Sequence, residues 1–80
     1  MIITIRRDMN HPGIRLKILR EAKGLTHKQL VKMLYPERIE PVELLLLRAW
    51  EIGRPIRLHN ELLIKLSKFF NVEIAYLLGW

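Results

Sequence analysis

Eighty residues, half of them apolar, make one domain and exclude both a second core and a disordered tail. With no cysteine the chain has no disulfide and no thiolate metal site, and no apolar run approaches the ~18 residues that a membrane span needs. The net charge of +6 comes from 14 basic and 8 acidic residues, and the whole excess lies in residues 1–35, where eight basic side chains meet only Asp8 and Glu21. A basic end of this kind attracts polyanions, nucleic acid first among them. The apolar start Met1–Ile5 is followed by Arg6 and Arg7, the wrong order for a secretory leader. The expectation is a protein of the reducing cytoplasm.

Taken in order, Met1–Ile5 is β-branched and reads either as a strand or as a frayed arm. Its one candidate partner is the alternating Pro55–His59, within the chain or across a dimer. Arg6 and Arg7 then sit where an arm could reach a phosphate or a minor groove. Asn10-His11-Pro12-Gly13 is a turn cluster. Residues 1–12 are therefore set apart as an arm and residues 13–80 as the domain. A first helix is expected over about 14–23, with Ile14, Ile18, Leu19 and Ala22 as its inward stripe. Arg15, Lys17, Arg20 and Lys23 fall on its other faces, as an ordinary solvated side would.

Gly24 suits the left-handed position after that helix. Thr26 and Gln29 have the spacing of a capping box, and Leu25 and Leu30 that of a hydrophobic staple. A second helix follows over about 27–34, with Leu30, Val31 and Leu34 inward and His27, Lys28 and Lys32 on it. Two short helices joined by a tight turn begin a helix-turn-helix. Tyr35 to Pro41 forms a loop, since Pro36 and Pro41 each push the preceding residue out of the helical region. Pro41 and Glu43 suit the start of a third helix over 42–52, which Gly53 ends. Four consecutive leucines, Leu44 to Leu47, go all the way round that helix, so it is buried on more than one side. Asn60 suits the N-cap of a fourth helix running to about Phe70, with Leu62, Leu63, Leu66, Phe69 and Phe70 as its stripe. Asn71 leads to a fifth helix, in which Ile74, Ala75, Leu77 and Leu78 face inward. Tyr76 and Trp80 are read as packing residues, since aromatics usually serve cores.

Leu25-Thr26-x-x-Gln29-Leu30 with Leu34, Trp50-Glu51-x-Gly53-Arg54, the run Leu62 to Phe70, and Asn71-Val72 resemble the Cro/lambda-repressor type of DNA-binding domain, the XRE family. The resemblance covers residues 13–80 and implies an all-α, five-helix helix-turn-helix fold. It implies phosphate contacts from the start of the second helix, here His27 and Lys28, and from the loop after the third, here Arg54 and Arg57. In the family the base-reading residues before the Trp are polar; here they are Leu44, Leu45 and Leu46, which can at best touch a thymine methyl. The loop is longer than the family's turn. From Tyr35 to Ile52 the charges are Arg38 and Arg48 against Glu37, Glu40, Glu43 and Glu51, the wrong sign for phosphates. Three readings follow. Arg38 and its loop approach the groove instead, the leucines form a dimer interface, or the fold binds protein rather than DNA.

His11, His27 and His59 are far apart and lack a ligand set, so no metal is expected. There is no Gly-rich phosphate loop, and the single Ser67 lies inside a helix without an elbow signature. The acidic residues have the look of surface ion pairs. No nucleophile, base and orienter converge, so neither an enzyme nor a cofactor is expected. The leading expectation is a transcriptional regulator of the repressor kind, binding double-stranded DNA as a homodimer. Its DNA-binding set is Arg6, Arg7, His27, Lys28, Lys32, Arg38, Arg48, Arg54 and Arg57, and its dimer or partner surface is Leu44, Leu45, Leu46 and Trp80. The alternative is a protein-interaction module, or an antitoxin-like protein that binds a partner, using the leucine-rich helix 42–52.

Overall fold

A computed structural model describes residues 11–39 and 41–79. Among them are five helices and no strand: α1 (Gly13–Ala22), α2 (His27–Leu34), α3 (Glu43–Glu51), α4 (Asn60–Phe70) and α5 (Ile74–Leu77). Residues 55–59 form no strand, and their expected partner, Met1–Ile5, lies outside the described residues. The fold is all-α, as expected.

The junction between α1 and α2 follows the local code closely. Gly24 takes φ +67°, and the Leu25 N–H donates to the Arg20 carbonyl at 3.2 Å, closing α1. The Gln29 N–H donates to Thr26 Oγ1 at 3.1 Å, and the Thr26 N–H donates to Gln29 Oε1 at 2.9 Å. Both halves of the capping box are thus made; such a cap contributes ~1 kcal/mol. The same 6→1 closure ends α3, where the Arg54 N–H reaches the Ala49 carbonyl and Gly53 has φ +89°. It also ends α4, where the Val72 N–H reaches the Ser67 carbonyl and Asn71 has φ 54°.

The core draws on every helix: Leu16, Leu30, Leu47, Leu62, Leu66 and Leu77 are fully buried, with Val31, Tyr35, Trp50, Leu58 and Phe70 around them. Each fully buried leucine is worth roughly 1.5–3 kcal/mol over an exposed one. In this arrangement α3 packs on α1 and α2, while α5 packs on α1 and α4. Residues 13, 16 and 20 form the buried side of α1, and Gly13 meets the backbone of Trp50 and Glu51 directly.

Several expectations need correction. The buried side of α1 is Gly13, Leu16 and Arg20; of the expected stripe Leu19 packs against the core and Ile14 is half-buried, whereas Ile18 is 57% exposed and Ala22 is exposed. A stripe scored on apolar residues alone is rotated from the buried side, because an arginine occupies an inward position. The N-cap of α4 is His59, whose Nδ1 accepts from the Leu62 N–H at 3.2 Å, and Asn60 is the first helical residue. An imidazole can cap as a carboxamide does when its ring nitrogen faces the free N–H groups. In α5, Leu77 is buried and Ile74 half-buried, but Ala75 and Leu78 are exposed, since a helix of four residues shows only one side to the core.

Candidate nucleic-acid interface

The acidic residues of α3 do not make surface ion pairs. Glu51 accepts two hydrogen bonds of 2.9 Å from Arg20, one from Nε and one from Nη2, and both side chains are buried. The third guanidinium nitrogen, Nη1, donates to the Leu25 carbonyl at 2.6 Å. The ion pair therefore ties the end of α3 to the turn before α2. The Glu51 carboxylate beside it holds the Arg20 guanidinium above its ordinary pKa.

His27 belongs to this cluster as well. Its Nε2 is buried 3.0 Å from Glu51 Oε1 and makes no hydrogen bond there. The imidazole expected to face a phosphate is turned inward.

Glu43 is the second buried carboxylate. Arg38 Nη1 donates to both its oxygens, at 2.9 and 2.8 Å, and His59 Nε2 lies 3.3 Å from Oε2. The Arg38 guanidinium also lies 4.4 Å from the ring centre of Tyr35, and the Lys65 ammonium 4.8 Å from it. Burial pushes the Tyr35 hydroxyl up to about 12. Burial also acts to raise the Glu43 carboxyl, but its own backbone N–H, Arg38 and His59 outweigh that and hold it below the usual carboxylate range.

The folded pKa of Glu43 thus lies below the unfolded one. Its stabilisation is whole above the ordinary value of 4.5 and is lost as pH falls through the folded value. The stability gap between the parent chain and Glu43→Gln is expected to be widest near neutrality and to shrink as the pH drops below 4.5, as urea unfolding across pH would read.

Between α2, the 35–41 loop and the start of α3 lies an open groove of about 540 Å³. Lys28 and Lys32, one turn apart on α2, stand on it with Arg38. Its apolar wall includes Leu44 and Leu45, together with Ile39 and Val42, which sequence reasoning did not single out. Lys28 and Lys32 are exposed and have no carboxylate within 4.0 Å among the described residues.

Of the expected DNA-binding set, the groove brings together Lys28, Lys32 and Arg38, though Arg38 is already spoken for by Glu43. Arg48, Arg54 and Arg57 are exposed but do not line it. Of the expected interface set, Leu44 and Leu46 are half-buried against the core, and Leu45 is 64% exposed. Arg6, Arg7 and Trp80 lie outside the described residues. Arg15 does not line the groove either: its Nη1 donates to the Tyr76 carbonyl at 3.0 Å and its Cζ sits 4.7 Å from the Tyr76 ring centre, a surface contact, and Tyr76 is 41% exposed, not packed in the core as expected.

Glu43 and Glu51 are therefore removed from the acidic balance read along residues 35–52, together with the Arg38 charge, while Glu37 stays exposed. Glu43 and Glu51 are withdrawn into the interior, each against an arginine. The one signal for this in the sequence is Arg20 itself, a charged residue four positions after Leu16 on an otherwise apolar side. The chain matches no known protein family, curated protein or solved structure.

Proposed function

We propose that this protein binds double-stranded DNA through the corner formed by α2 and the start of α3, as a regulator of transcription in the cytoplasm. The observation that carries the reading is the pairing of charges. Lys28 and Lys32 stand exposed beside the groove without a carboxylate partner among the described residues, while Glu43 and Glu51 face inward. Lys28 and Lys32 are thus the unpaired cations that a duplex would meet at this corner among the described residues. The free N–H groups of the first turn of α2 add a fixed positive end to the same corner. The resemblance to the Cro/lambda-repressor type implies the same corner and a repressor's role, with a homodimer matching a two-fold operator.

Binding of this kind depends on salt, because each neutralised phosphate releases counterions. Lys28, Lys32, Arg48, Arg54 and Arg57 as phosphate contacts give a slope of log K against log salt of about −4.5. The double variant Lys28→Ala/Lys32→Ala is expected to flatten that slope by about 2. Anisotropy of a labelled duplex pool over a salt series measures both, with the mass of the free protein recorded in parallel for the dimer. Affinity that does not move with salt counts against the proposal.

A further inference from the structure

We infer that the groove between α2 and α3 reads thymine 5-methyl groups in the major groove of DNA, not hydrogen-bonding base edges. This rests on the duplex-binding reading above and names what that site selects. The side chains that project at the groove are Ile39, Val42 and Leu45, which are 97%, 58% and 64% exposed. Behind them Val31 and Leu44 are apolar too. Among the described lining residues the polar side chains are all cations, and the Arg38 guanidinium is held by Glu43. No uncharged donor or acceptor side chain is present among them, and Lys28 and Lys32 are the phosphate contacts of the reading above.

A major groove offers one apolar feature, the C5-methyl of thymine, whose place tells A·T from T·A and both from a G·C pair. Three protruding aliphatic side chains beside the two lysines of α2 match a row of methyl groups beside a line of phosphates. A second copy of this chain fits less well, since its own lysines would meet Lys28 and Lys32. An acidic protein segment with an apolar face is the competing occupant. It matches the lysines as well, and the measurements below separate it from a duplex.

The test begins with a random duplex pool enriched on the protein at moderate salt. The enriched pool is then copied with dUTP in place of dTTP, which removes the methyl and keeps the base pairing. Affinity is expected to fall about four-fold per methyl contacted, the ratio that corresponds to ~0.8 kcal/mol for burying one such carbon. Leu45→Ala changes an exposed position on α3 and is expected to narrow the ratio between the two pools while leaving the salt slope unchanged. Equal affinity for the thymine and uracil pools overturns methyl reading and leaves duplex binding standing. Failure to bind either pool overturns both. A Glu/Leu amphipathic helical peptide that binds more tightly than the thymine pool assigns the groove to a protein partner and likewise overturns the inference.

Discussion

The Gly13→Ala protein is expected to lose its cooperative fold. A Cβ at this position would overlap the Trp50 carbonyl oxygen and lie 2.6 Å from the Trp50 carbonyl carbon and 2.8 Å from Glu51 Cα. All three are backbone atoms, so no rotamer change relieves the clash. Either α1 moves off α3 or the end of α3 unwinds. Moving α1 draws Leu16 out of the core and Arg20 away from Glu51, so the cost is not confined to one methyl. An extra carbon in a core commonly costs about 1–3 kcal/mol where side chains can yield, and more where they cannot. A chain of this length has only about 4–12 kcal/mol in all. Circular dichroism against urea is expected to show no native baseline, or a midpoint near zero denaturant. Gly24→Ala is the matched control: nothing lies within 4 Å of its added Cβ, and the cost is only the left-handed φ of +67°, about 1–2 kcal/mol. Equal stability of the two variants would show that α1 and α3 are not in backbone contact.

Glu51→Ala is expected to destabilise the chain by about 3–5 kcal/mol, because it strands the Arg20 charge inside the protein. Arg20 loses both of its 2.9 Å hydrogen bonds to Glu51 and keeps only the one to the Leu25 carbonyl. Arg20→Met strands the carboxylate by the same logic. The double variant Arg20→Met/Glu51→Leu is expected to regain most of the loss, since apolar side chains of similar size often replace a buried ion pair at little net cost. A double-mutant cycle from urea midpoints gives the coupling directly, and additive losses would refute the pairing. The same variants separate stability from function. The Arg20 side chain also holds the Leu25 carbonyl, just before the Thr26 cap, so the pair sets how α2 leaves α1 relative to the end of α3. The double variant is expected to fold yet to bind duplex more weakly than the parent.

Much of the backbone was legible because its signals are local. Thr26 and Gln29 lie within one turn, and their capping box forms as their spacing demands. Gly24, Gly53 and Asn71 each take the left-handed turn that follows a helix. The helices begin and end within a residue or two of their expected limits. What was not legible depends on residues far apart in sequence. Arg20 and Glu51 are 31 positions apart, and neither alone reveals that it is buried. Four leucines in a row cannot say which of them is inward; only the packing of α3 on α1 and α2 buries Leu47 and leaves Leu45 out. The same holds for the groove. Ile39 reads as an ordinary loop residue, and Val42 as a helix start, until the fold places them beside Lys28 and Lys32. The rotated stripe on α1 has the same origin: Ile18 and Ala22 are apolar, but the partner that decides the face is a carboxylate on another helix.

Arg38, Glu43 and His59 tie the 35–41 loop to the start of α3 and to the cap of α4. A partner docking beside Ile39 therefore finds the neighbouring Arg38 side chain already immobilised, and that much less side-chain entropy remains to oppose association.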